Sequence, residues 1–179
     1  MQWESVFEIV LSAHVGATDE QLHQWANAWN RALSAEEIKQ VQDQQRNPFP
    51  HNSPLYSQYT PLDATHWSFP QQPLPSSYLQ LLRWSNGGEY QTGARTFQLF
   101  GINELREMNL TYEVLHYMPG AISFGMDGGG NHYLFDMRND LIDGEYPILL
   151  ASSGNLDYDD ALYAADSLME LCSQGKELE

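Results

Sequence analysis

The sequence predicts an α+β domain, and three observations carry that expectation. Apolar residues recur at helical spacing in the first third of the chain, alternate at strand spacing from Ile122 to Leu150, and return to helical spacing after Asp159. Between the two most regular alternating segments stands Asp127-Gly128-Gly129-Gly130, a turn of wide backbone freedom that joins them as a β-hairpin. The chain has 179 residues, 42% of them apolar, with 5 Trp, 10 Tyr and 7 Phe. That is material for one packed core, so most of the chain is expected to be ordered.

Trp3, Val6, Phe7, Val10 and Leu11 fit one helical face and predict a helix over about residues 2–13 that stops near Gly16. Thr18 with Gln21 three residues on has the form of a capping box, and Leu22, Trp25, Ala26, Trp29 and Leu33 supply the apolar face behind it. Ser34 and Glu37 repeat the pattern ahead of Ile38 and Val41, in a weaker helix that should fray before Pro48. Residues 47–75 hold seven of the nine prolines together with Phe49, Tyr56, Tyr59, Trp67 and Phe69. Proline forbids regular interiors there, and so many rings argue for an ordered loop packed on the surface rather than a partner-binding arm.

Pro75 suits the first turn of a helix that buries Tyr78, Leu79 and Leu82 and carries Trp84 near its end. Asn86-Gly87-Gly88 ends it, because glycine accepts the left-handed conformation of a helix stop. Arg95 to Phe100 reads as a strand, and Asn103 as the cap of a helix carrying Leu105, Met108, Tyr112 and Leu115 that ends before Pro119. Three strand faces follow: Ile122, Phe124 and Met126; Tyr133, Phe135 and Met137; Tyr146, Ile148 and Leu150. Asp159-Asp160 is expected to open a last helix whose apolar face is Leu162, Ala165, Leu168, Met169 and Cys172. The tail over 175–179 is expected to be loose.

Eight basic and 24 acidic residues leave a net charge of −16. The imbalance is concentrated after Ile102, where 15 acidic residues face 3 basic ones. Such a surface repels phosphate backbones, which argues against nucleic acid, and draws in a basic protein partner. It also serves plain solubility. Cys172 stands alone, so no disulfide forms within the chain. The N-terminus shows no signal-peptide pattern and no segment has the length of a membrane span, so the expected location is the cytoplasm, with no membrane partner.

The chemistry-bearing residues argue for binding rather than catalysis. No Lys-Ser/Thr follows the glycines and a strand, not a helix, comes next, so the turn lacks the means to cradle a phosphate. Asp127, Asn131 and Asp136 suggest a calcium loop, but its third and twelfth positions fall on Gly129 and Arg138. The six histidines do not pair at helical spacing and one cysteine makes no thiolate cluster, so no cofactor is expected. One enzymatic alternative is an acid–base set of Asp127, His132 and Asp136, in a metal- or carbohydrate-related reaction. On a two-residue period His132 and Asp136 share the face opposite Tyr133 and Phe135. The competing reading is a solvated polar sheet face with an ion pair.

Leu74-Pro75-Ser76-Ser77-Tyr78-Leu79-Gln80-Leu81-Leu82 followed by Ser85-Asn86-Gly87-Gly88 resembles the first signature of the SUKH superfamily, which includes fungal cell-wall regulators of the Smi/Knr type. The stretch from Phe124 to Tyr133 resembles its second signature, a glycine-rich hairpin ahead of an aromatic strand, and 158–171 resembles its closing helix. The resemblance covers about 74–171, sets the core domain at 74–174, and implies an α+β fold with a mostly antiparallel sheet and surrounding helices. Residues 1–73 would be an N-terminal helical extension packed on the same domain. The resemblance also implies a non-catalytic, protein-binding role. Bacterial members look like immunity proteins that neutralise a cognate toxin, often a nuclease or deaminase, and fungal members look like regulatory scaffolds.

The expected interface draws on the hairpin residues Asp127, Asn131 and His132, the loop acids Asp140, Asp143 and Glu145, and the run Asp157, Asp159 and Asp160. Gly87, Gly88, Gly125, Gly128, Gly129 and Gly130 are assigned to backbone conformation rather than contact.

Overall fold

The computed structural model describes residues 3–174, so the expectation of a loose tail lies outside the described residues. Among these are seven strands and six α-helices. The strands form one sheet in the order β1 to β7, every neighbour antiparallel. They are β1 Ile9–Ala13, β2 Gly88–Thr92, β3 Arg95–Leu99, β4 Ala121–Met126, β5 Asn131–Asp136, β6 Ile148–Ser152 and β7 Leu162–Ala165. Helices α1 Asp19–Ala26, α2 Ala35–Gln44 and α3 Ser76–Trp84 lie between β1 and β2. Helices α4 Leu105–Thr111 and α5 Val114–Tyr117 lie between β3 and β4, and α6 Leu168–Ser173 closes the described chain. No helix here is long and apolar enough to cross a membrane.

Both capping boxes form: the Thr18 and Ser34 hydroxyls accept from the backbone N–H of Gln21 and Glu37, whose side chains accept in return from the cap N–H groups. The expected first helix does not form. Trp3–Ser5 makes a single 3-10 turn, Trp3 and Phe7 enter the core, and Ile9–Ala13 pairs with β2. Helical spacing and a β-branched run competed in that segment, and pairing with β2 decided it. Strand β2 itself has no apolar run to announce it. In the proline-rich segment Phe69 is buried and Trp67 packs partly buried against the core.

Asn103 caps nothing. Glu104 occupies the cap position, and its carboxylate accepts from the Gly101 N–H at 2.8 Å. The long helix expected behind it is split at Glu113, which takes a left-handed conformation with φ +57°. The expected last helix also gives way: Leu162–Ala165 is the edge strand β7, and α6 starts only after Ser167, whose hydroxyl accepts from the Glu170 N–H.

One sheet face carries Tyr90, Phe97, Ile122, Phe124, Tyr133, Phe135 and Ile148 against Tyr78, Leu81, Leu168 and Leu171. Phe124 and Phe135 stack at 4.1 Å between ring centroids, and the Tyr78 hydroxyl donates to the Phe100 carbonyl at 2.7 Å. The other face carries Ala121, Leu134 and Ala151 beneath Val114, Met118 and Leu156. A bulge between Ser123 and Gly125 sends Met126 to this second face, opposite His132, instead of beside Ile122 and Phe124 as its spacing predicts.

Strands β3 and β4 pair over only two residue pairs, Gln98↔Met126 and Leu99↔Gly125. A Cβ at Gly125 would stand 2.7 Å from the Gln98 carbonyl oxygen and 3.0 Å from Leu99 Cδ2. Gly125→Ala is therefore expected to cost about 2 kcal/mol by urea unfolding, because backbone has to move at the narrowest joint of the sheet. A loss under about 0.5 kcal/mol would show that the joint yields freely.

Candidate binding surface

The β4–β5 hairpin turn is held by one side chain. Asp127 accepts from the N–H groups of Gly129 and Asn131 at 2.7 and 2.9 Å, and from the Asn131 amide at 2.6 Å. Burial raises its pKa and these hydrogen bonds lower it more strongly, so the carboxyl lies below the usual aspartate range. Gly128 and Gly130 take φ of +74° and +98°, whereas Gly129 has no positive φ. The carboxylate of Asp127 thus spends its acceptors on the turn.

His132 faces inward and is 0% exposed. Its Nδ1 lies 2.8 Å from Ser123 Oγ, which donates on to the Gly125 carbonyl at 3.3 Å, and its ring meets Tyr112 edge to face at 4.5 Å. This chain assigns the proton to Nδ1. Nε2 is buried without a hydrogen-bond partner. Burial pushes its pKa down to about 4, against a small upward pull from Asp127. His132 therefore leaves the expected interface, since no partner can reach it.

Asp136 is 9% exposed and grips Arg138 in a two-pronged pair at 2.8 and 2.7 Å. The Arg138 hydrogen bonds hold its pKa below the usual range, against the opposing push of burial. The face that carries His132 and Asp136 is thus not the solvated polar face expected. It is roofed by α4, α5 and Leu156. The enzymatic alternative loses its geometry here: four residues of strand, about 13 Å, separate His132 from Asp136, and each is committed to another partner.

The remaining acids divide between two ends of β5. Asp127 and Asn131 stand at its start, where the Ser153 N–H reaches the Gly130 carbonyl at 2.9 Å. Asp140, Asp143 and Glu145 lie in the loop beyond its other end. Asp143, with φ +53°, and Gly144, with φ +85°, form a tight turn bridged by Ile142 and Glu145, and the Asp143 side chain is exposed at its tip. Glu145 is half-buried and points inward, accepting from the Ser77 hydroxyl at 2.7 Å.

The acidic run is anchored by Tyr158. Its ring lies 3.7 Å beneath the Arg138 guanidinium, and its hydroxyl donates to the Pro119 carbonyl at 3.0 Å. This anchor holds the loop of the exposed Asp157, Asp159 and Asp160 against the second sheet face, while the bridge of Asn155 to Ser152, the partner of Asn131, ties the same loop to the start of β5. Asp157 accepts from the Asp159 N–H and Asp160 from the Asn155 amide, so two of the three are also turn-formers. From 127 to 174 there are ten acidic residues and one basic residue, Arg138, which Asp136 already neutralises. A cleft of about 410 Å³ opens beside this surface, between Tyr112, Glu113 and Tyr117 and the 153–155 turn. Among the described residues no three His, Cys, Asp or Glu side chains are grouped as a metal ion requires.

Sequence reasoning missed Arg138 and Tyr158, which position the run, and Arg106, which ties the N-terminal helices to α4. The first signature of the expected family has a structural role here. Tyr78 and Ser77 bind the Phe100 carbonyl and Glu145, and the Asn86 side chain accepts from the Ile102 N–H at 2.9 Å. The sequence model of the SMI1/KNR4 family (SUKH-1) matches residues 68–174. No curated protein matches the chain.

Proposed function

We propose, from the premise that this chain belongs to the SMI1/KNR4 family (SUKH-1), that it is an immunity protein that binds a cognate toxin and covers its active site. It contributes no chemistry of its own. The observation that carries this reading is the set of exposed acids Asp140, Asp143, Asp157, Asp159 and Asp160, the last three on a loop that the Arg138–Tyr158 stack holds against the sheet. A toxin that works on nucleic acid has a basic groove, and an anionic surface of fixed shape competes for it. Asn131 lies half-exposed at the start of β5, whereas the carboxylates of Asp127 and Glu145 are taken up by bonds within the chain. The cleft beside Glu113 offers a socket for a long basic side chain.

The test is capture of toxin domains encoded beside this gene, using the wild type and the triple variant Asp157→Lys, Asp159→Lys, Asp160→Lys. Binding is expected to fall at least about 30-fold in the variant, while loss of two local turn bonds costs only about 1 kcal/mol of stability. Unchanged capture removes the run from the interface. No capture by the wild type favours the regulatory-scaffold role instead.

A further inference from the structure

At the edge of the sheet farthest from the acidic surface, β1 exposes all five of its residues. Ile9, Val10 and Leu11 are 46%, 48% and 55% exposed. Natural edge strands are guarded by charge, proline or a covering element. The segment from Ile9 to Ala13 holds neither charge nor proline, in a chain whose net charge is −16. Its one irregularity is a bulge at Leu11, which has no register partner on β2. The opposite edge is guarded: β7 exposes Leu162 and Tyr163, but Asp159 and Asp160 precede it and Asp166 follows.

We propose that β1 is the docking edge for a second copy of this chain, paired antiparallel about a two-fold axis at Leu11. The sequence is self-complementary in that register. Val10 stands opposite the second copy's Ser12, Ile9 opposite its Ala13, and Glu8 opposite its His14, with the same pairs repeated across the axis. Glu8 and His14 are both exposed; the Glu8 carboxylate keeps one oxygen for the Gly93 N–H and His14 Nδ1 lies 3.2 Å from the Asn86 carbonyl, which leaves the second Glu8 oxygen and His14 Nε2 to face each other at each end. Pairing of β7 with a second β7 sets Asp160 and Asp166 against like charges. Pairing of β1 with a second copy's β7 is head-to-tail and leaves an open chain. The two-fold dimer is a continuous sheet with its acidic surfaces at the two far ends, so both copies stay free to bind.

A five-residue edge buries little area, so the dimer is weak. Two copies at −16 repel each other, and salt screens that repulsion. Sedimentation equilibrium of the full chain from about 10 µM to about 1 mM tests the proposal. The expected result is a dimer that populates toward the upper end, tightens with added sodium chloride, and disappears in Leu11→Lys but not in Tyr163→Lys. Circular dichroism confirms that Leu11→Lys is folded, and amide exchange over 9–13 that slows with concentration locates the contact without any variant. A wild type that is monomeric throughout overturns the proposal. So does association that survives Leu11→Lys or vanishes in Tyr163→Lys.

Discussion

Replacing Arg106 with alanine is expected to lower stability by about 3 kcal/mol and to loosen the N-terminal helices first. Its guanidinium donates to both oxygens of Glu37 and to the carbonyls of Trp29, Arg31 and Ala32, and it lies 4.4 Å over the Phe69 ring. The two side chains are only 13% and 17% exposed, so removal of one leaves the other charged and poorly hydrated. Lysine does not rescue, because a point charge cannot span the fork. Hydrogen exchange should show 19–44 opening separately while β4 to β6 stay protected. A loss below about 1 kcal/mol, spread evenly over the chain, would contradict this role. The Arg106 hydrogen bonds also hold Glu37 far below the usual glutamate range, against burial. Its folded pKa is depressed, so its contribution is present above 4.5 and is lost as pH falls below that value.

Mild acid is expected to weaken the fold, and His132 is the cause. Protonation would add a buried Nε2–H with no acceptor, which is why burial depresses its pKa from 6.5 to about 4. The unfolded chain therefore binds this proton first. Stability from His132 is full above 6.5 and is lost as pH falls from there toward about 4. Such a difference corresponds to about 3 kcal/mol in total. The depressed carboxyls of Glu37 and Asp136 enter only below 4.5. Urea unfolding between pH 6.5 and 4.5 should show the decline in the wild type and a flat profile in His132→Phe. A flat wild-type profile, or an NMR titration of His132 near 6.5, would show that the ring is solvated.

What was legible in the sequence is what depends on near neighbours. Thr18 with Gln21 and Ser34 with Glu37 close capping boxes within one turn, and both formed. The Asp127 turn and its flanking alternation gave the hairpin. The edges were misread for the opposite reason. Ile9–Ala13 and Leu162–Ala165 carry apolar spacing that suits a helix, and only pairing with a distant strand settles them. Ser167 with Glu170 offered a start signal for α6 that was overrun by helical spacing from Leu162 onward. Gly125 inside a strand was a sign of the bulge that moves Met126.

The candidate site was legible in charge but not in depth. Strand parity gave the common face of His132 and Asp136, yet parity cannot say that α4 and α5 roof that face. The Arg106–Glu37 pair spans 69 residues and the Arg138–Tyr158 stack joins a strand end to a loop, so neither has a local signature. These two contacts set the shape of the molecule around its acidic surface.

The most direct measurement of the proposed function is whether this protein inhibits the turnover of a toxin domain encoded beside its gene. At low salt, one equivalent of wild type should abolish turnover, with weaker inhibition as salt rises and at least about a 30-fold rightward shift for the variant reversed at Asp157, Asp159 and Asp160. A complex that forms yet leaves the toxin turning over, or inhibition equal in wild type and variant, would contradict occlusion by an anionic surface.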